Sequence, residues 1–130
     1  MPYTDATVRL LAQDGQLVHT DRNEMYHQAI SHLTEAELLE FYRVMTVVRR
    51  FDVEAGNLQR QGQMALWVPS IGQEAGQVGS GFATRSQDHI FPAYREHSVA
   101  YLKGLDLVDI IRMLRGVTNG RWDPKKTNNF

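Results

Sequence analysis

The chain has 130 residues, enough for one small domain with a hydrophobic core and too few for two. Its 14 Lys plus Arg against 15 Asp plus Glu leave a formal net charge of -1, so no strong field favours nucleic acid or an anionic membrane. The absence of cysteine excludes a disulfide framework and cysteine-based catalysis, and it fits a reducing cytoplasm. No secretory signal and no membrane-spanning apolar run are visible. We therefore expect a soluble, cytoplasmic protein with neither nucleic acid nor membrane as a partner.

The first 33 residues have the pattern of an N-terminal arm. Two short apolar runs flank Asp14-Gly15, a pair that favours a tight hairpin turn. Because an isolated hairpin is only marginally stable in water, we expect this arm to lie on something larger.

A long amphipathic helix is predicted from Glu35 to Gln61. Thr34 and Glu37 have the spacing of a capping box, in which each side chain bonds the backbone N–H of the other residue. Apolar residues then recur every three or four positions, and Gly62 is a suitable helix stop.

The next segment predicts a short apolar element followed by a glycine-rich helix. Residues 64–68 are apolar and bounded by Gly62 and Pro69, which indicates a strand or an extended buried segment. Ser70 and Gln73 repeat the capping spacing ahead of a helix that carries several glycines, each of which weakens a helix by roughly 1 kcal/mol relative to Ala. Either another group approaches this backbone closely, or the segment is partly loop.

Three further elements and a tail complete the chain. Residues 89–91 predict a short strand, and residues 96–103 predict a short helix that stops at Gly104. Asp106 can cap a last helix that ends at Gly116. This gives an arm at 1–33, a domain at 34–116 and the start of a mobile loop at 117–130.

Among candidate chemistries, only the segment Tyr94-Arg95-Glu96-His97 has positive support. The histidines lack metal-ligand spacing, so we predict no metal ligands in this chain. No nucleophile elbow is present, so hydrolase chemistry has no support. A turn from strand to helix aims side chains and free N–H groups at one place, where Arg95 can grip a phosphate and Tyr94 can add a hydrogen bond. The alternative is that Arg95 and Glu96 are solvated and Tyr94 lies at the edge of the core. His97 is either a proton shuttle near an anion or a packing histidine.

A set of motifs in fixed order resembles the alpha subunit of the thiamine-diphosphate-dependent decarboxylating component of 2-oxo acid dehydrogenases. The motifs are Tyr42-Arg43-Val44-Met45, Arg49-Arg50-Phe51-Asp52, Gln59-Arg60-Gln61-Gly62, Gly72-Gln73-Glu74-Ala75 and Phe91-Pro92-Ala93-Tyr94-Arg95-Glu96-His97. The resemblance runs from about Leu39 to Gly116, more than half of the chain. The form Leu66-Trp67-Val68-Pro69 ahead of Gly72-Gln73-Glu74 is most similar to bacterial members of the pyruvate type, which transfer acetyl groups.

The resemblance implies an α/β fold, of which this chain is the N-terminal, helix-rich portion of a thiamine-diphosphate-binding domain, with the sheet largely beyond the C-terminus. It implies that Tyr94 and Arg95 contact the diphosphate of thiamine diphosphate and that the glycine-rich helix packs at a subunit contact. The family's magnesium-binding motif and catalytic histidines do not occur in these residues. The magnesium ligands are therefore expected outside this segment, the catalytic residues stay unknown, and this piece alone is expected to be inactive.

The implied reaction is the oxidative decarboxylation of pyruvate with acyl transfer to a lipoyl domain of the acyltransferase component. The implied assembly is an α2β2 heterotetramer with a beta subunit. Val68 stands where mitochondrial pyruvate-type members carry a substrate-pocket histidine, so a branched-chain 2-oxo acid is an alternative substrate. A truncated, non-catalytic module that only binds a partner subunit is a second alternative.

Overall fold

The computed structural model describes residues 8–117, and the predicted loop beyond Val117 lies outside them. Within these residues the helices are α1 (Glu24–Ile30), α2 (Glu35–Arg60), α3 (Glu74–Ala83), α4 (His97–Leu102) and α5 (Leu107–Leu114). The chain forms two compact units that meet in sequence after Leu38. The domain boundaries predicted at residues 33 and 116 stay predictions.

The first unit contains the predicted turn at Asp14-Gly15. Gly15 has a φ of 83°, and an antiparallel bridge joins Leu11 to Leu17 across the turn. The side chain of Asn23, only 1% exposed, holds this turn against α1. Its Nδ2 donates to the carbonyl oxygens of Arg9 and Val18, both at 2.6 Å. Because one buried amide satisfies two carbonyl groups, the hairpin is anchored to more than its own bridge.

Helix α2 begins with the predicted capping box. The N–H of Thr34 donates to Glu37 Oε2 at 2.7 Å, and the N–H of Glu37 donates to Thr34 Oγ1 at 3.3 Å. The helix ends at Arg60, one residue before the predicted end, and Gly62 follows with a φ of 71°. The prediction of this helix is confirmed.

The second unit has its core along α2. Val44 and Val48 of α2 pack with Val78 of α3, with partly buried hydrophobic residues from α4 around them. Nearer the end of α2, a second cluster is formed by Ala55, Met64 and Trp67. Three partly buried residues pack against it: Phe51, Leu58 and Ile111. Phe51 also contacts a third cluster, formed by Ala100, Leu105 and Ile110. One face of α2 therefore supports every other helix of this unit.

The strand predicted at residues 89–91 and the helix start predicted at Ser70 were wrong, and of the two alternatives predicted for residues 64–68 the strand does not form. Residues 64–68 and 89–91 form no strand, because neither has a pairing partner among the described residues, although Met64 and Trp67 are buried. Helix α3 begins at Glu74 without a side-chain cap. The predicted cap, Ser70, instead bonds the carboxylate of Asp52 through both its N–H and its hydroxyl.

The last two helices were predicted correctly. Helix α4 lies within the predicted range, and Gly104 follows it with a φ of 99°. The carboxylate of Asp106 caps α5 by accepting from the N–H of Val108 at 2.7 Å. The helix-rich character of the predicted fold is confirmed, while residues 8–117 contain no sheet. Within the same residues, the helices are too short or too polar to span a membrane.

Candidate anion site

The candidate site is the irregular segment that leads into α4. Arg95 Nη2 donates to the hydroxyl of Tyr94 at 3.3 Å, and the guanidinium carbon lies 5.0 Å from the centroid of the Tyr94 ring. Tyr94 is 67% exposed, whereas Arg95 is half-buried. The structure thus brings the two predicted site residues together in a cation–π pair whose polar ends face the same region.

Two buried polar atoms in this segment have no hydrogen-bond partner among the described residues. They are Arg95 Nε and Glu96 Oε2. A buried donor or acceptor without a partner costs free energy, so such atoms are uncommon in folded proteins. A ligand with anionic oxygens would satisfy the guanidinium donor, and a ligand N–H or O–H would satisfy the carboxylate oxygen. Arg95 and Glu96 are therefore partly solvated, each with one buried polar atom.

The backbone of the segment is held from α3. The side-chain amide of Gln77 donates from Nε2 to the carbonyl oxygen of Arg95 at 3.1 Å, and its Oε1 accepts from the N–H of Ser98 at 3.2 Å. The predicted availability of free N–H groups at the start of α4 is thus wrong for Ser98, because Gln77 already occupies that donor.

His97 packs against Trp67 rather than standing free. The two rings stack with centroids 4.7 Å apart and an interplanar angle of 21°. Burial lowers the pKa of His97, against the opposing effect of the carboxylates of Asp52 and Glu96. Its neutral form is therefore favoured at neutral pH, as the packing interpretation of this histidine expects.

Sequence reasoning missed the support behind His97. Asp52 is 3% exposed, and its Oδ1 accepts from Trp67 Nε1 at 3.1 Å and from the N–H of Ser70 at 2.8 Å. The available signal was the position of Asp52 beside the apolar face of α2, where a carboxylate is unfavourable unless donors reach it. Nothing in the spacing indicated that those donors would come from residues 67 and 70.

A cleft of about 320 Å³ adjoins the site. Its lining is mostly apolar and consists of Pro92, Ala93, Tyr94, Glu96, His97, Ala100, Leu105, Ile110, Met113 and Leu114. Tyr94 and Glu96 contribute polar atoms to this lining, while α4 and α5 supply apolar walls. Such a combination suits an organic ligand that has both an apolar ring and polar groups.

A second set of charges lies apart from this segment. The guanidinium of Arg49 bonds Glu74 Oε1, and Glu74 Oε2 accepts from the N–H of Gly72 at 3.0 Å. These contacts lower the pKa of Glu74 to about 2, with the Arg49 hydrogen bond as the largest cause. Within residues 8–117, no group of three metal-binding side chains lies close enough together to hold a metal ion.

Comparison with known proteins agrees with the motifs. Residues 42–129 match the family model described as the dehydrogenase E1 component. The alpha subunit of 3-methyl-2-oxobutanoate dehydrogenase from Mycobacterium tuberculosis is 39% identical over 113 residues, which are 87% of this chain and 29% of that relative. The alpha subunit of the pyruvate dehydrogenase E1 component from Staphylococcus epidermidis is 33% identical over 121 residues, 93% of this chain and 31% of that relative. No solved structure matches the chain significantly.

The chain belongs to the dehydrogenase E1 component family, because the family model covers more than half of it. It spans about three-tenths of the length of the curated relatives it matches. The relatives that it matches are alpha subunits of both the pyruvate and the branched-chain type.

Proposed function

We propose that the chain is the alpha-type part of a 2-oxo acid dehydrogenase that binds thiamine diphosphate through Tyr94 and Arg95. The observation that carries this proposal is the pairing of these two side chains inside the matched region, with Arg95 Nε buried and without a partner among the described residues. A diphosphate offers several anionic oxygens, and a guanidinium binds such oxygens through charge-assisted hydrogen bonds.

In this proposal Arg95 neutralises part of the diphosphate charge, and the Tyr94 hydroxyl donates one further hydrogen bond. When bound, thiamine diphosphate supplies the carbanion chemistry by which a 2-oxo acid loses carbon dioxide. The magnesium ion that accompanies the diphosphate has its ligands outside this segment. Glu96 and the apolar cleft beside Tyr94 shape the entrance to the site and limit the access of water.

The first prediction concerns Arg95. We expect Arg95→Ala in the assembled enzyme to weaken the binding of thiamine diphosphate by about 2 kcal/mol or more, roughly 30-fold in Kd, because a charge-assisted contact is lost. Isothermal titration calorimetry in the presence of magnesium measures this. Arg50→Ala is the matched control, since the Arg50 side chain is 76% exposed and pairs with Glu54 on α2. An unchanged Kd in Arg95→Ala would remove Arg95 from the site.

We further propose that the substrate is pyruvate and that the acyl group passes to a lipoyl domain of the acyltransferase component. The resemblance of residues 66–74 to bacterial pyruvate-type members supports this choice. The branched-chain alternative has support from the 39% identity to a relative named for 3-methyl-2-oxobutanoate.

The second prediction separates the two substrates. We expect kcat/KM for pyruvate to exceed that for 3-methyl-2-oxobutanoate by about tenfold or more, because a pocket sized for a methyl group excludes a branched side chain. Both values come from decarboxylation assays on the same preparation. A higher value for the branched substrate would replace pyruvate as the assignment.

The proposed partner is a beta subunit in an α2β2 heterotetramer. A non-catalytic module that only binds that subunit is the remaining alternative. Co-purification with a beta-type subunit, together with decarboxylation above that of the beta subunit alone, would support the enzyme. Co-purification without activity or cofactor binding would favour the module.

A further inference from the structure

We propose that Gln77 of α3 is a positioning residue that fixes Arg95 for diphosphate binding. This inference rests on the proposed function, since it concerns the same anion site. Gln77 does not touch the ligand in this proposal and acts through the backbone of residues 95–98.

The side-chain amide of Gln77 binds two backbone groups at once. Gln77 is 6% exposed, and its two polar atoms bond opposite kinds of backbone group, the carbonyl of Arg95 and the N–H of Ser98. A primary amide is suited to this because it carries a donor and an acceptor side by side. The backbone on both sides of Glu96 is therefore tied to one rigid group on a neighbouring helix.

The N–H of Ser98 depends on Gln77 for its hydrogen-bond acceptor. Ser98 is the second residue of α4, and the first N–H groups of a helix have no partner within the helix. Since Ser98 is 3% exposed, its N–H is also shielded from water. Without the Gln77 acceptor, the start of α4 would bury an unsatisfied donor or shift to expose it.

Helices α3 and α4 approach each other closely at Gly81. A Cβ atom added at Gly81 would lie 2.5 Å from Leu102 Cδ1 and 3.3 Å from Leu102 Cβ. The absence of a side chain at Gly81 therefore lets α4 lie against α3, within reach of Gln77 one turn earlier. The close packing at Gly81 therefore brings α4 near enough for Gln77 to bond the Arg95 carbonyl and so hold the site from α3.

A structural role alone and a positioning role predict different results in a double-mutant cycle. Gln77→Met keeps the length and approximate volume of the side chain while it removes the hydrogen bonds to the Arg95 carbonyl and the Ser98 N–H. We expect this variant to bind thiamine diphosphate about tenfold more weakly in the assembled enzyme, because the two bonds that fix Arg95 are lost. We expect Gln77→Met/Arg95→Ala to bind within about twofold of Arg95→Ala alone, because Gln77 acts through Arg95.

Isothermal titration calorimetry with thiamine diphosphate and magnesium gives the four Kd values. Hydrogen–deuterium exchange of the Ser98 amide, measured without cofactor, shows whether the bond to Gln77 is lost in a folded variant. Gln87→Met is the control, since Gln87 is an exposed glutamine in the turn before the segment. Faster exchange at Ser98 is expected in Gln77→Met and not in Gln87→Met.

The outcomes separate the two proposals. If Arg95→Ala weakens binding and Gln77→Met does not, or if their effects add in the double variant, Gln77 is not a positioning residue while the diphosphate site stands. If Arg95→Ala itself leaves the Kd unchanged, the site assignment fails first. Unchanged Ser98 exchange in Gln77→Met would overturn the inference even if that variant binds the cofactor weakly.

Discussion

Asp52 gathers its hydrogen bonds on a single carboxylate oxygen. Trp67 Nε1, the Ser70 N–H and the Ser70 hydroxyl all donate to Oδ1, at 3.1, 2.8 and 3.2 Å. A buried carboxylate is tolerated when such donors replace water, and here they also orient the indole that stacks on His97. At the scale of residues, Asp52 and Trp67 therefore hold His97 in place although Asp52 does not itself line the candidate site.

The third prediction concerns the pH dependence of stability through Glu74. Its folded-state pKa of about 2 lies below the ordinary 4.5, so the unfolded state binds the proton more readily. The stabilisation is therefore fully present above pH 4.5 and is lost as the pH falls towards 2. Because Arg49 is half exposed, solvent screening reduces the effect, and we expect wild type to lose about 1–2 kcal/mol more than Glu74→Gln over this range.

Urea denaturation at a series of pH values measures this difference. Glu40→Gln is the control, because Glu40 forms an exposed ion pair with Arg43 on α2. Its effect on the pH dependence is expected to be smaller, since solvent screens the exposed pair. Equal pH profiles for wild type and Glu74→Gln would mean that the Arg49 contact does not stabilise the fold.

At the scale of elements, the sequence was informative where the signal is local. The capping box at Thr34, the Asp106 cap and the glycines at 62 and 104 placed helix ends, because each acts on residues within one turn. The predicted helix start at Ser70 failed because Asp52, 18 residues away, captures the Ser70 donors. The pairing of Tyr94 with Arg95 was predictable because the two residues are neighbours in the sequence. The hydrogen bonds from Gln77 to this segment were not, because they depend on how α3 packs against α4.

The fourth prediction separates two glycines of α3. Gly81→Ala should destabilise the second unit by about 1–3 kcal/mol, because the added Cβ would clash with Leu102. Gly79→Ala should stabilise it by about 0.5–1 kcal/mol, because no atom lies within 4 Å of the added Cβ and Ala favours a helix. Thermal and urea unfolding of the chain without partner measure both values. A stabilising Gly81→Ala would show that Leu102 moves aside without cost.

At the scale of the whole molecule, nothing among the described residues requires a glycine at positions 76 and 79 of α3. An added Cβ at Gly76 would meet no atom within 4 Å, and Gly76 lines an open groove of about 460 Å³ beside Gln73 and Ser80. Glycine weakens a helix interior, so its presence at an exposed position suits a close contact made by another chain. The proposed beta subunit is such a chain.

The fifth prediction tests that contact. Gly76→Leu should leave the folded chain intact and weaken association with the beta subunit by about tenfold or more, because a bulky side chain blocks close approach of the backbones. Sedimentation velocity on mixtures of the two subunits measures the association. Ala65→Leu serves as the control, since Ala65 is exposed and lies outside α3. Normal assembly of Gly76→Leu would place the beta subunit elsewhere.

The dependence of every cluster on α2 has a consequence for biosynthesis. Helix α2 leaves the ribosome well before α5, yet Ile111 of α5 packs against the cluster around Ala55, and Arg115 donates to the carbonyl oxygen of Gln63, 52 residues earlier. Contacts so distant in sequence form late, and an apolar face left uncovered until then attracts other chains. Nascent chains that stop before α5 are therefore expected to aggregate or to occupy chaperones.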